Sequence, residues 1–117
     1  MASKNEIEQF LKEFKRCIQI HVIDERQDGR NEATLAILGL TPKQRLEEIK
    51  ALNYKNYFRG PTPDHRNPSD NIWEFGRKVK GREIYIKLKV YTSTSGSKYG
   101  KCLSFHIADS PISYKFK

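Results

Sequence analysis

Three stretches in the second half of the chain alternate apolar and polar residues with the two-residue period of a β-strand: residues 72–79, 82–90 and 102–107. Successive side chains of a strand point to opposite faces of its sheet. One face of each stretch is therefore expected to enter a core while the other faces away from it. This pattern restricts the second half of the chain to a small sheet with one apolar face.

The alternation assigns each side chain of these stretches to a face. The residues expected inside are Trp73, Phe75, Ile84, Ile86, Leu88, Val90, Leu103, Phe105 and Ile107. The residues expected outside are Glu74, Glu83, Tyr85, Lys87, Lys89, Cys102, Ser104 and His106. The outward set combines carboxylates, a phenol, ammonium groups and an imidazole, an inventory that suits acid–base chemistry on a phosphodiester.

The first half of the chain has the period of helices. Ser3 followed by Glu6 is a capping box and predicts an amphipathic helix over residues 4–16. Residues 18–22 alternate and predict a short extended segment, followed by a polar turn over residues 24–31. Asn31 is predicted to cap a second helix, which ends at Gly39.

A third helix is predicted to begin at Thr41 and Pro42, with a buried stripe of Leu46, Ile49 and Leu52. The proline-rich residues 60–71 predict an exposed loop, and residues 80–81 predict a hairpin turn. Residues 92–101 are expected to form a mobile connection, and residues 112–116 a short edge strand. The chain is thus predicted to be one α+β domain, residues 1–117, with N-terminal helices packed on a three- to four-stranded antiparallel sheet.

Charge is divided unevenly along the chain. Residues 1–40 carry 6 Lys or Arg against 7 Asp or Glu, whereas residues 41–117 carry 16 against 7, so the net charge of +8 lies in the half that contains the strands. Such a positive field favours a nucleic acid, an acidic protein or an anionic membrane surface as partner. No basic amphipathic helix stands out, which disfavours the membrane.

The remaining sequence features argue for a cytoplasmic protein. No apolar run approaches the roughly 18 residues of a membrane span, and no hydrophobic signal-peptide segment is seen at the N-terminus. Cys17 and Cys102 lie far apart, so reduced thiols are expected. The three histidines, His21, His65 and His106, fall in different predicted elements, so neither a zinc site nor any other cofactor is predicted.

Metal-free cleavage of RNA needs a base for the 2′-hydroxyl, an acid for the departing 5′-oxygen and cations beside the phosphate. The predicted catalytic residues are His106, Glu74, Tyr85, Arg59 and Lys87, of which His106 titrates in the useful range. Which of Glu74 and His106 is base and which is acid stays open. Additional contacts to the RNA backbone are expected from Lys89, Arg82, Lys55 and Arg77.

Five short runs resemble the MqsR-type toxins of bacterial toxin–antitoxin systems, and they span about residues 38–107. They are LGLT at 38–41, NYFRGP at 56–61, IWEF at 72–75, GREIYIK at 81–87 and LSFH at 103–106. The resemblance implies a RelE-like fold and a sequence-selective, metal-independent mRNA endoribonuclease that a protein antitoxin neutralises. It implies mRNA and a cognate antitoxin as partners, with the ribosome as a further candidate.

Within these runs, three of the four residues at the positions of interest differ in type from the toxins. Arg59 stands where such toxins have a lysine, Glu74 where a glutamine follows the tryptophan, and His106 where a lysine follows Ser-Phe; Tyr85 matches the strand tyrosine. The changes favour a ribonuclease that uses His and Glu rather than lysine. Two alternatives stay open: a non-catalytic RNA-binding or regulatory module, and a protein whose basic face holds an acidic partner protein.

Overall fold

The structure is a computed structural model that describes residues 1–24 and 28–116. Its elements, in chain order, are α1 (Lys4–Lys15), β1 (Ile20–Val22), α2 (Arg30–Leu38), α3 (Pro42–Lys50), a 3₁₀ turn (Tyr54–Asn56), β2 (Tyr57–Pro63), β3 (Asn71–Val79), β4 (Arg82–Thr92) and β5 (Lys98–Ile107). The predicted α+β class is confirmed. None of the described helices is long and apolar enough to cross a membrane.

The strands form one mixed sheet of five, in the order β1-β5-β4-β3-β2. β1 runs parallel to β5, whereas the other neighbours are antiparallel. The predicted sheet of three to four antiparallel strands was therefore too small. β2 was not predicted because residues 60–71 are rich in proline, although the strand extends to Pro63. Proline is tolerated there because β2 lies at the sheet edge and needs only one partner.

The predicted hairpin turn between β3 and β4 is confirmed, with positive φ angles at Lys80 (51°) and Gly81 (80°). The next connection is shorter than predicted, because β4 continues to Thr92 and β5 begins at Lys98. Residues 112–116 form no strand, so that prediction was wrong. They cross one face of the sheet instead, as described with the functional site.

The inner face of the sheet carries the core. Trp73, Phe75, Ile86 and Phe105 are buried there, and Phe10 of α1 stacks on Trp73 with ring centroids 4.7 Å apart. The capping boxes at Ser3 and Thr41 are both formed, so the starts of α1 and α3 are as predicted. The outer face is defined here by the side chains that point the other way from β3, β4 and β5: Glu74, Tyr85, Lys87, Lys89, Tyr91, Tyr99, Lys101, Ser104 and His106.

A β-bulge interrupts β5 at Leu103. Lys87 of β4 pairs with Ser104, but the next residue, Leu88, pairs with Cys102, so the strand register skips Leu103. An extra residue shifts the alternation of the strand by one. Cys102, predicted to be exposed, is fully buried in the core, and Leu103, predicted to be buried, is only half-buried.

Asn31 supports this bulge instead of capping a helix. α2 begins at Arg30 after Gly29, two residues earlier than predicted, and Asn31 is only 1% exposed. Its amide nitrogen donates to the carbonyls of Ile23 (2.7 Å) and Leu103 (3.1 Å), and its oxygen accepts from the Phe105 N–H (2.9 Å). The side chain thus provides hydrogen-bond partners for backbone groups of Ile23, Leu103 and Phe105 beyond the end of β1.

We expect Asn31→Leu to destabilise the fold by about 2–4 kcal/mol, because a side chain of similar shape leaves those buried backbone groups without partners. Urea unfolding followed by circular dichroism measures the change. Glu32→Ala, at the exposed next position of α2, is the control and should change the free energy of unfolding by less than about 0.5 kcal/mol. A loss below about 1 kcal/mol for Asn31→Leu would contradict the role of this amide.

An ion pair between a buried arginine and a partly exposed aspartate joins α3 to the segment after β1. Arg45 is 3% exposed and donates two hydrogen bonds of 2.8 Å to the carboxylate of Asp24. Ile49 and Leu52 of the predicted α3 stripe are buried, while Leu46 is half-buried. The hydrogen bonds from Arg45 lower the pKa of Asp24. The lowered pKa means that the pair stabilises the fold when Asp24 is ionised.

We expect Asp24→Asn to cost about 2 kcal/mol at neutral pH, since Arg45 keeps its charge in a buried position. The ion pair stabilises the folded state fully at pH values above about 4, the pKa of aspartate in the unfolded chain. This stabilisation is lost as the pH falls through the lower pKa that Asp24 has in the folded state. The stability difference between wild type and variant should therefore shrink in acid, as measured by urea unfolding across pH. A difference that stays constant down to pH values below about 3 would refute this linkage.

Candidate functional site

A cleft of about 420 Å³ opens on the outer face. Its floor consists of Tyr85, Lys87, Ser104 and His106 from β4 and β5. One wall is formed by β2, and the other by the segment that follows β5. The full lining is Arg30, Phe58, Arg59, Tyr85, Lys87, Ser104, His106, Ala108, Asp109, Ser110, Pro111 and Ile112. We call it the outer-face cleft.

Strand register brings the floor residues together. Tyr85 pairs directly with His106, and in the neighbouring row Lys87 pairs with both Glu74 and Ser104. The Tyr85 and His106 rings lie with centroids 5.4 Å apart. The sequence therefore predicted correctly that a phenol, an imidazole and an ammonium group share one face of the sheet.

His106 lines the cleft although only 7% of it is exposed. Its Nδ1 atom lies 3.0 Å from the carbonyl oxygen of Ile107. Because a carbonyl only accepts hydrogen bonds, Nδ1 carries the proton in this contact. The Nε2 atom is then the basic nitrogen of the neutral ring.

Glu74 lies behind the cleft and is not part of its lining. It is 6% exposed, and its two carboxylate oxygens accept hydrogen bonds from Arg59 Nε (2.9 Å) and from the Tyr85 hydroxyl. The arrangement holds Arg59 and Tyr85 in place, and it raises the pKa of the Arg59 guanidinium. Glu74, predicted to be exposed, is thus a buried anchor for two neighbours.

Burial raises the pKa of the Tyr85 phenol well above its ordinary value, and the hydrogen bond to the Glu74 carboxylate raises it further. Arg59 opposes this shift. The hydroxyl therefore stays protonated at neutral pH and donates to Glu74. Tyr85 presents an uncharged ring to the cleft.

The cleft has an excess of positive charge. Arg59 is held by Glu74 but keeps 62% of its side chain exposed, and Arg30 pairs with Asp109 at the rim. Lys87 is half-buried on the floor, and it has no hydrogen bond or ion pair to any residue in ranges 1–24 and 28–116. A cation without a partner, beside a second cation and an imidazole, suits a phosphate group.

Two of the residues predicted to bind RNA are engaged elsewhere. Lys89 is 7% exposed and bonds to Asp64 (2.7 Å) and Asp70 (3.0 Å), which fastens the loop between β2 and β3 onto the outer face. Arg77 points to the inner side and pairs with Glu48 of α3 at 2.8 Å. Neither side chain is brought to the cleft.

The other two, Lys55 and Arg82, are exposed and do not line the cleft. Lys55 borders a separate groove of about 340 Å³ beside the 3₁₀ turn. Arg82 begins β4 at the hairpin turn. Both add positive charge to the surface of the strand half, and neither contacts the predicted catalytic set.

The segment after β5 is a part of the site that the sequence pattern did not reveal. Glu83 accepts hydrogen bonds from the Ile112 N–H (2.9 Å) and the Tyr114 hydroxyl (3.0 Å). A Cβ at Gly76 would lie 2.6 Å from both of these side chains, so the segment passes where β3 has no side chain. Gly76, inside a strand, was the available signal for this close approach.

A larger cavity of about 890 Å³ lies between α1 and residues 67–71. Its carboxylates, Glu6, Glu13 and Asp70, outnumber its single cation, Lys98. This charge disfavours a phosphate ligand. Within the described ranges, no three His, Cys, Asp or Glu side chains are grouped so that they could hold a metal ion.

Comparisons with protein-family models, with curated proteins and with solved structures returned no match to this chain. They assign it to no family. The resemblance of its short runs to MqsR-type toxins therefore contributes to a proposal and not to an identification.

We expect Tyr85 to stay protonated above the ordinary tyrosine pKa of about 10, because burial and Glu74 both favour the neutral phenol. The protonated Tyr85 hydroxyl therefore stabilises the folded state below pH 10 or so, and this stabilisation is lost as the pH rises through the pKa of Tyr85 in the folded protein. Glu74→Gln should lower the pKa without restoring the ordinary value, since burial remains. Nuclear magnetic resonance of tyrosine labelled at the ζ-carbon follows each titration.

Tyr114 provides the matched control. Burial and its hydrogen bond to Glu83 raise the pKa of Tyr114 to about 12. Glu83→Gln should lower the pKa of Tyr114 and leave Tyr85 unchanged. A Tyr85 resonance that titrates near pH 10 in the wild type would contradict the buried hydrogen bond to Glu74.

Proposed function

We propose that the outer-face cleft binds single-stranded RNA and cleaves its backbone by acid–base chemistry. The observation that carries the proposal is the placement of His106 against Tyr85 in a cleft whose floor holds the ammonium of Lys87, which no described residue pairs with or hydrogen-bonds to. An imidazole supplies a proton acceptor near neutral pH, and fixed cations stabilise the charge that develops on phosphorus.

The reaction is a transfer within the RNA. The 2′-hydroxyl loses its proton to His106 Nε2 and its oxygen attacks phosphorus; the bond from phosphorus to the 5′-oxygen breaks. The products are a 2′,3′-cyclic phosphate and a 5′-hydroxyl. The departing oxygen needs a proton, and of the protonated cleft residues Lys87 and Arg59 only the lysine releases one readily.

Glu74 has a supporting part in this mechanism. Both of its oxygens are bonded, to Arg59 and Tyr85, so it is better suited to hold these two residues than to exchange a proton with RNA. Arg59 then contributes charge at the phosphate, and the ring of Tyr85 contacts a sugar or base. This division of roles differs from the His/Glu pair that the sequence suggested.

The resemblance to MqsR-type toxins extends the proposal to fold and partners. β2 to β5 form an antiparallel core compatible with a RelE-like arrangement, with β1 added in parallel at one edge. We propose mRNA in the cytoplasm as the substrate and an acidic antitoxin as the protein that covers the positive cleft. The ribosome is a further candidate partner.

One observation favours a second function, an RNA-binding or regulatory module without catalysis that an acidic partner protein holds. Glu74 holds Arg59 and Tyr85 and does not line the cleft, so among the described lining residues His106 is the one whose residue type ordinarily exchanges a proton near neutral pH. A cleft with one such group can bind RNA and still fail to cut it. Binding would then weaken steeply with salt as phosphate contacts are lost.

We expect purified protein to cleave single-stranded RNA in the presence of EDTA, and His106→Ala to reduce the rate by about 10²–10⁴-fold. His65→Ala is the matched control, because His65 is exposed in the loop between β2 and β3 and does not line the cleft. Gel analysis gives the rates, and mass spectrometry identifies the cyclic phosphate.

The same samples separate the two functions. RNA that is bound but stays intact with wild-type protein would favour the non-catalytic module. Cleavage that persists at the wild-type rate in His106→Ala would refute the proposed mechanism.

A further inference from the structure

The outer face carries an aromatic pair beyond the cleft. Tyr91 of β4 and Tyr99 of β5 are cross-strand partners, and their rings stack with centroids 5.6 Å apart and an interplanar angle of 23°. Both residues are half-buried. Neither lines the outer-face cleft, and Tyr91 borders the larger cavity between α1 and residues 67–71.

Positive charge accompanies this pair. The Lys101 ammonium lies 5.0 Å from the centre of the Tyr91 ring, and Lys101 is the register partner of His21 on β1. His21 is exposed on the same side of the sheet. Stacked aromatic rings with an adjacent cation are the usual means of binding unpaired nucleotides, because the rings stack on bases and the cation meets phosphate.

The pair and the cleft share one face because of the bulge at Leu103. His106 and Ser104 lie on the outer face after the bulge, and Tyr99 and Lys101 lie on it before the bulge. Tyr91 is six positions after Tyr85 in β4, a separation of about 20 Å at the rise of an extended strand. An extended RNA strand covers this distance only if it is longer than the few nucleotides that fill the cleft.

The loop between β2 and β3 determines the route between them. Asp64 and Asp70 hold that loop over Lys89, so the side toward β3 is covered and acidic. The side toward β5 and β1 carries Lys101 and His21 instead. RNA that leaves the cleft is therefore directed along β5.

We propose that Tyr91 and Tyr99, with Lys101, form a stacking subsite for unpaired bases of an RNA strand whose scissile phosphate lies in the outer-face cleft. This inference rests on the proposed function for its substrate. It adds a length requirement: RNA that reaches both places binds more tightly than RNA that fills the cleft alone. It also adds sequence tolerance, since every base has a face on which it can stack.

The test compares two lengths of 2′-O-methyl RNA, a trinucleotide and an oligonucleotide of about ten residues, by fluorescence anisotropy at one fixed salt concentration. These probes lack the nucleophilic hydroxyl, so they report binding without cleavage. Wild-type protein should bind the longer probe more tightly. Tyr99→Leu should weaken that binding about tenfold and leave the trinucleotide unchanged.

Two controls identify stacking as the cause. Tyr99→Phe keeps the ring and should retain wild-type affinity for the longer probe. Tyr54→Leu removes a half-buried tyrosine from the 3₁₀ turn and should change neither affinity. Thermal unfolding of each variant confirms that the sheet is intact.

The subsite is overturned if Tyr99→Leu binds the longer probe as wild type does, if it weakens both probes equally, or if wild-type protein binds neither probe. Failure of the nuclease proposal is a separate result. It would show as natural RNA that stays intact while the length-dependent binding and its loss in Tyr99→Leu persist.

Discussion

The bulge at Leu103, whose carbonyl accepts a hydrogen bond from the Asn31 amide, determines which side chains of β5 lie on the outer face. In an unbroken strand, Tyr99 and His106 would lie on opposite faces, because they are seven residues apart. The extra residue at Leu103 brings both to the outer face. It also directs Gly100 to the inner face, where a Cβ would lie 2.9 Å from the ring of Phe14. Core packing and the outer-face chemistry are therefore fixed by one local irregularity.

A buried carboxylate organises the cleft from behind. Glu74 accepts from Arg59 of β2 and Tyr85 of β4, so one side chain of β3 links three strands. A buried carboxylate is costly unless its oxygens are bonded, and here both are. In the proposed function, the positive residues and His106 meet the RNA, whereas Glu74 holds Arg59 and Tyr85 in position. The sequence alone had placed all of these residues in one catalytic set.

The alternation of β3 and β4 was sufficient to predict their faces and their hairpin. Regular strands obey a strict two-residue period, and the turn at Lys80 and Gly81 fixes the register between them. The bulge could not be predicted in this way, since residues 102–107 alternate without interruption in the sequence. Cys102 is buried because the bulge places it opposite Leu88, on the inner face of the sheet.

The cleft and the tyrosine pair lie at opposite ends of β4 and β5, and only the cleft end is walled by the segment after β5. Near Gly76 the absence of a side chain lets that segment cross the sheet, where Glu83 holds it and where it forms one wall of the cleft. Nearer the other ends of β4 and β5, the rings of Tyr91 and Tyr99 stack on each other and both residues are half-buried. A walled, charged cleft suits a phosphate that must be held in one orientation, whereas an open aromatic pair suits bases that need only be stacked. An extended single strand of RNA offers phosphates and unpaired bases to the same face of a protein, so it suits a surface that carries both kinds of contact.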